Sequence, residues 1–262
     1  MIKRFLVAFF LCMGIAVGGL AQPDADELAK KASFISYYQG KDGKSLVTMT
    51  ITDAQGRTRE RQMTILRLNI EENGAQKYYV YFHKPADVKG MAYIVWKHID
   101  KDDDRWLYLS AMDLVRRIAA SDKRSSFAGT NFLYEDVSGR SVSLDAHEFE
   151  KEEGDFYILK NTPKDAAQVE FAYYKVWVDK KTFIPMKAHY YDEQDSLYRT
   201  IEVLKTQEIQ GNPTIVTMKA SDLNSGSSTV TQFNEVTYDI GLGDDIFTER
   251  YLRKTPVQWI KG

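Results

Sequence analysis

HKPADVKGMAYIVWKHIDKDDDRWLYLSAMDLVRRIAASDKRSSFAGTNFLYEDV, residues 83–137, decides the fold. Within it, 91–98 and 105–109 are apolar, aromatic segments of strand length, joined by the acidic turn 100–104. Both faces of each segment are apolar. Ala92, Ile94 and Trp96 alternate with Met91, Tyr93 and Val95, and Trp106 and Tyr108 alternate with Leu107 and Leu109. A strand with one wet face shows polar residues at every second position, so this pattern implies a sheet covered on both sides or curled around a ligand. The following stretch, 112–137, carries paired arginines and a Ser/Gly-rich patch and reads as an irregular loop. Together they read as a wall followed by a lip.

The period of two continues on both sides. Upstream, strands are expected at 46–52, 57–69 and 77–84, with turns at Ala54-Gln55-Gly56 and Asn73-Gly74. Downstream they are expected at 148–151, 156–161, 171–179, 185–191, 198–209, 214–222 and 228–238. Before all of these, 24–38 reads as a helix. Pro23 suits its start, Asp24, Asp26 and Glu27 suit the positive end of its dipole, and Leu28, Ala32, Ile35 and Tyr38 form an apolar stripe ended by Gly40. So many antiparallel strands with short connections must curl, because sheets twist. The concave face then has only the helix and the 112–137 loop to fill it. That shortage of filler implies a cavity.

The ends set the compartment. Lys3 and Arg4 precede an apolar run of 13 residues, Phe5 to Val17, and Gly19-Leu20-Ala21 supplies small residues for cleavage after Ala21. This is the pattern of a secretory signal peptide at 1–21, shorter than the roughly 20 apolar residues a membrane span requires. The lone cysteine, Cys12, lies inside it, so the mature chain 22–262, expected as one domain, has no disulfides. Without Lys3 and Arg4 the 35 basic residues become 33 against 37 acidic, a net charge of −4, which gives no general attraction for nucleic acid.

Chemistry-bearing patterns are sparse. His83, His98, His147 and His189 are scattered, with no HExxH and no GxSxG, and Gly241-Leu242-Gly243 lacks the rest of a phosphate loop. Asp100, Asp102 and Asp104 alternate like calcium ligands, but Arg105 stands where such a loop needs glycine. No catalysis, cofactor or metal is expected. The cavity wall is expected from Val47, Met49, Ile51, Tyr79, Tyr81, Met91, Ile94, Trp96, Leu107, Leu109, Met112 and Trp177. Arg116, Arg117, Lys123 and Arg124 are the candidate contacts for an anionic headgroup or an acidic partner, the alternative being a solvated face paired with Asp113, Asp122, Glu135 and Asp136. At about 0.8 kcal/mol per methylene, a sheltered sixteen-carbon chain is worth roughly 12 kcal/mol, which favours an enclosed cavity over a groove for an acyl ligand.

These residues resemble the LolA-like outer-membrane lipoprotein-sorting proteins, the group that includes LolA, LolB and RseB. The likeness is carried by PADVKG (85–90), AYIVW (92–96), DDDRWLYL (102–109), VRRI (115–118) and SDKRSSFAGTNFLYEDV (121–137). VWVDKKTFIPMKAHYYD (176–192) and DDIFTERYL (244–252) extend it. The resemblance implies a mainly β fold with few helices: a strongly curved, incompletely closed antiparallel sheet, a half-barrel, with helices covering the concave face. It also implies a periplasmic carrier of a lipid or of lipoprotein acyl chains, partnered by an RND- or MMPL-type inner-membrane transporter and an outer-membrane acceptor. A periplasmic sensor, as in the RseB branch, is the second reading. A lipid hydrolase on the same scaffold is the third, and no Ser/His pairing supports it.

Overall fold

The structure, a computed structural model, describes residues 22–260, so the signal peptide expected at 1–21 lies outside the described residues. The first helix is α1 (Ala25–Tyr37). The outgoing strands are β1 (Asp42–Thr52), β2 (Thr58–Asn69), β3 (Gln76–Lys84), β4 (Ala92–Lys97), β5 (Asp104–Leu109) and β6 (Leu114–Arg117). A short helix α2 (Tyr134–Ser138) precedes β7 (Asp145–Glu153), β8 (Phe156–Pro163), β9 (Tyr173–Asp179), β10 (Pro185–Tyr191), β11 (Leu197–Ile209), β12 (Asn212–Asp222) and β13 (Ser227–Tyr238). The chain ends in α3 (Glu249–Arg253) and α4 (Val257–Ile260).

All thirteen strands of the described residues form one antiparallel sheet in the order β6-β5-β4-β3-β2-β1-β13-β12-β11-β10-β9-β8-β7. The chain walks from β1 out to the β6 edge, crosses to the opposite edge at β7, and returns strand by strand until β13 pairs with β1. The edges β6 and β7 are not joined, so the sheet is curved but open, as the resemblance implied. Register breaks in the β2/β3, β1/β13, β11/β12 and β7/β8 pairs are bulges that add local twist and bend.

This topology fixes what lies in the concavity. A segment running from one edge to the other, residues 118–144, has to pass over the concave face. Its apolar side chains Ile118, Phe127, Phe132 and Tyr134 land on Met63, Tyr78, Phe82 and Tyr93 of the first half of the sheet. Phe127 stands 5.7 Å from the Phe82 ring and 5.5 Å from the Tyr93 ring, aromatic contacts of ordinary attractive geometry. On the convex side the C-terminal segment covers the same strands. Leu242, Ile246, Phe247, Leu252 and Ile260 pack on Leu66, Tyr79, Ile94 and Trp106. Asp42, nearly fully buried, anchors that segment by accepting the backbone N–H groups of Ile240, Gly241 and Leu242 at 2.8, 3.0 and 3.0 Å.

Two expectations are corrected. Residues 114–117, read as loop, form β6, with Leu109 opposite Leu114 and Tyr108 opposite Val115. Four residues are too few to show a period of two in sequence. The covering helices also divide: α1 and α2 lie on the concave side, whereas α3 packs outside, against β4 and β5.

Candidate functional site

The second half of the sheet, β7 to β13, has much less over its concave face. Asp24 caps α1 by accepting from the backbone N–H groups of Asp26 and Glu27, at 2.9 and 3.2 Å. The helix docks through Leu28 and Ala32 onto Leu159 and Val178. The face it turns inward is otherwise mostly small, Ala29, Ser33 and Ser36, with Ile35 and Tyr37 toward its C-terminal end. Opposite stand Val176, Ala188, Ile201, Val203, Met218 and Phe233 from β9 to β13. The gap between is a cavity of about 370 Å³. Small-molecule sites run from roughly 300 to 1,000 Å³. A second cleft of about 790 Å³ lies beyond α1, and Ser33, Ile35, Val142 and His147 border both. The helix is therefore a partition between two spaces.

The cavity has two polar regions. At the crossover, Arg124 donates to Glu135 at 2.9 Å and to Glu170 at 3.0 Å, and Arg140 donates to Asp145 at 2.8 Å and to Glu135 at 3.3 Å. The Tyr174 hydroxyl donates to Asp145 at 2.8 Å, and burial raises its pKa well above the ordinary phenol value, so it stays a donor. Burial alone would raise the Glu170 carboxyl, but hydrogen bonds and charge from Arg124 hold it below the ordinary carboxylate value. Asp136, on the cavity wall, pairs with Arg199.

At the other region, side chains of β2 and β3 satisfy the last carbonyls of α1. Gln76 donates to Tyr37 O at 2.7 Å, Asn69 to Tyr38 O at 2.9 Å, and Arg67 to Gln39 O. Outside the cavity, Lys97 is buried under α2 and donates to Ser138 O at 2.7 Å and Gly139 O at 3.2 Å. Burial pushes its ammonium down to about 8 despite the nearby Asp103 and Glu135 carboxylates.

The expected wall residues separate into groups. Val47 and Met49 line the cavity, and Ile51, on the same strand, is buried beyond it. Met91, Leu107 and Leu109 are on the concave side but packed in the closed half. Tyr79, Tyr81, Ile94 and Trp96 lie in the convex layer, where the Trp96 indole donates to Phe247 O at 2.6 Å. Met112 is 65% exposed. Trp177 alternates with the cavity-lining Val176 and Val178 and so points outward, 5.1 Å from the Lys187 ammonium. Strand alternation is the reason for these departures. The doubly apolar strands β4 and β5 are sandwiched between two covers and do not line the cavity.

The basic set divides as well. Arg124 borders the cavity, but its charge is matched by Glu135 and Glu170. Lys123 is buried against Asp102 and Gln168. Arg116 and Arg117 are exposed near the β6 edge, pairing with Asp122 and Asp104. Asp103 and Asp104 of the acidic turn bind Arg105, His98 and Arg117, and among the described residues no group of three or more His, Cys, Asp or Glu could hold a metal ion. No helix among them is long and apolar enough to cross a membrane. Lining residues missed in the sequence are the small face of α1 and the alternate positions of β9 to β13. Their signal was present as Tyr174, Val176 and Val178 at a spacing of two.

An open, curved antiparallel sheet with a partition helix over an apolar cavity is a LolA-like fold. A family model described as "Uncharacterized protein" matches residues 74–254. A DUF1329 family protein from Desulfovibrio piger shares 30% identity, with a TM-score of 0.81 over 87% of this chain and 97% of that one. A structure from Vibrio parahaemolyticus, described as an outer membrane lipoprotein-sorting protein domain, shares 27% identity at a TM-score of 0.78, covering 87% and 98% of the two chains. A LolA superfamily protein from Nitrosomonas europaea has the same fold at 20% identity and a TM-score of 0.69, covering 88% and 100%. A search of curated proteins gives no match. The chain belongs to the family of that DUF1329 protein, and its fold is the LolA-like fold.

Proposed function

We propose that the protein is a periplasmic carrier, a single binding domain behind a cleaved signal peptide. It shelters an acyl chain of a lipid or lipoprotein beneath α1 and moves it toward the outer membrane. The observation that carries this reading is the 370 Å³ apolar space between the small face of α1 and β9 to β13. A chain taken up there would be drawn by about 0.8 kcal/mol per methylene removed from water. Uptake needs α1 to move, and its dock is slight: Leu28 and Ala32 are its only fully buried residues before the Tyr38 cap. A displaced α1 would merge the two spaces it separates, making room for more than one chain. No catalytic step is part of the proposal. An RND- or MMPL-type transporter as donor and an outer-membrane acceptor complete it.

The test is loading. Protein purified from its own periplasm is expected to carry acyl lipid in native mass spectrometry, and to pass it to acceptor vesicles. Filling the space with Ala29→Trp is expected to abolish loading while leaving the far-ultraviolet spectrum unchanged. A wild-type protein that is empty and ignores added lipid would sink the reading.

A further inference from the structure

We propose that Arg67 receives an anionic headgroup, so that the protein selects single-chain amphiphiles ending in a carboxylate or a phosphate over neutral ones. This rests on the acyl-binding reading above and deepens it. The cations on the cavity wall are not equivalent. Arg124 and Arg140 are already matched by Glu135, Glu170 and Asp145, two guanidinium groups against three carboxylates. Lys44 also borders the space, but it alternates along β1 with the cavity-lining Gly43, Ser45 and Val47, so its side chain leaves by the other face of the sheet.

Arg67 differs in that its hydrogen-bond partners are all neutral. Nη1 donates to Asn69 Oδ1 at 2.7 Å, and Nη2 donates to Gln39 O just past the end of α1. These bonds use two of the five donors of a guanidinium. The helix end supplies only about half a negative charge in compensation. Arg67 borders the vacant space, and Gly43 beside it adds no side chain, where a Cβ would stand 3.3 Å from Thr237 O and 3.6 Å from Arg67 Nη2. Ile65 and Tyr78 continue the wall on either side of it. The cavity is thus polarised. An excess of carboxylate at the crossover repels an anion, and an unmatched guanidinium at the end of α1 attracts it. A chain would lie with its headgroup at Arg67 and its tail along β9 to β12. The planar fork suits either oxyanion.

Binding of hexadecanoate, hexadecyl phosphate, hexadecanol and hexadecyl ammonium to the full mature chain tests this by calorimetry. Both anions are expected to bind roughly tenfold or more tighter than hexadecanol, as for hydrogen bonds to a charged group, and the ammonium more weakly. The tighter anion tells a phospholipid source from a fatty-acid source. Arg67→Gln is expected to bring both anions down to the affinity of hexadecanol measured in the same variant, and an anion preference that survives it would overturn the assignment to Arg67. Should Arg67→Gln fail to fold, the wild-type ranking decides by itself. Equal binding of hexadecanol and the anions would overturn this proposal and leave the carrier reading standing. Failure of every chain to bind would overturn both.

Discussion

The two halves of the sheet are built alike and end up unlike. Strands β1 to β6 and β7 to β12 are antiparallel meanders of similar alternation, joined through β13. The first half lies between two apolar layers, one from the crossover and one from the C-terminal segment. The second half has α1 over it, and α1 presents mostly alanine and serine, with Ile35 and Tyr37 only toward its end, where the crossover presents phenylalanine and tyrosine. A cavity therefore arises where the covering side chains become small. The sharpest way to break this comparison is to truncate one residue in each half. Phe82→Ala, in the filled half with no exposed surface, is expected to cost about 3–5 kcal/mol. Ile201→Ala, which borders space that is already vacant, is expected to cost only about 1 kcal/mol, because few contacts are lost there. Urea denaturation measures both. Equal costs would mean that the second half is packed as tightly as the first.

The crossover also bridges the halves through buried charge. Glu135 is 3% exposed and accepts from both Arg124 and Arg140, which reach on to Glu170 and Asp145. Breaking such a pair strands a buried guanidinium. Glu135→Ala is expected to cost about 3 kcal/mol in the same denaturation experiment. Glu135→Gln, which keeps the shape and one acceptor, should cost less. A loss below about 0.5 kcal/mol for the alanine variant would mean that the crossover is held by its aromatic residues alone.

Lys97 ties the closed half to α2, and its effect depends on pH. The folded ammonium loses its proton near 8, whereas its ordinary value is 10.5. Between these values the unfolded chain binds more protons, so stability rises with pH. The gain from about pH 8 to about pH 10 is expected to be on the order of 2 kcal/mol. Tyr37, Tyr38 and Tyr78 nearby have raised pKa values, chiefly through burial. Raised phenols contribute the opposite slope, but only above about pH 10, where unfolded tyrosine ionises. Lys97→Met is expected to flatten the profile below that point. A wild-type stability that falls between about pH 8 and pH 10 would show Lys97 to be solvated.

Much of this arrangement was legible in the sequence. Alternation in β2, β3, β9 and β10, the turn residues between them and the capped helix after Pro23 were all readable, and so was the inference that a curved sheet would lack filler. The location of the cavity was not. Tyr79, Ile94 and Trp96 carried the strongest apolar signal, and that signal marks burial without telling which layer does the burying. The layer is set by a C-terminal segment whose contact with β4 and β5 leaves no local pattern. The true wall was quieter, because a residue beside vacant space needs to be neither large nor aromatic. Ala29, Ala188 and Ser33 look unremarked in sequence for the same reason that they leave room. The basic cluster disperses for a related reason. Guanidinium groups close in sequence suggested a shared target, but pairing partners from Asp102 to Glu170 arrive through the fold.

Arg116 and Arg117 give the smallest expected effect and the cleanest control. Their side chains are 62% and 69% exposed, at an edge strand whose neighbours belong to the closed half. Their partners Asp122 and Asp104 form surface pairs, which are screened and worth little. Charged residues on a short edge strand also deter pairing with a second sheet, a role independent of cargo. The double variant Arg116→Ala, Arg117→Ala is therefore expected to stay within about 0.5 kcal/mol of wild type and to load the same hexadecyl ligands with unchanged affinity. If loading falls while stability holds, the ligand reaches the β6 edge, and the proposal that it occupies only the half with the cavity would have to be redrawn.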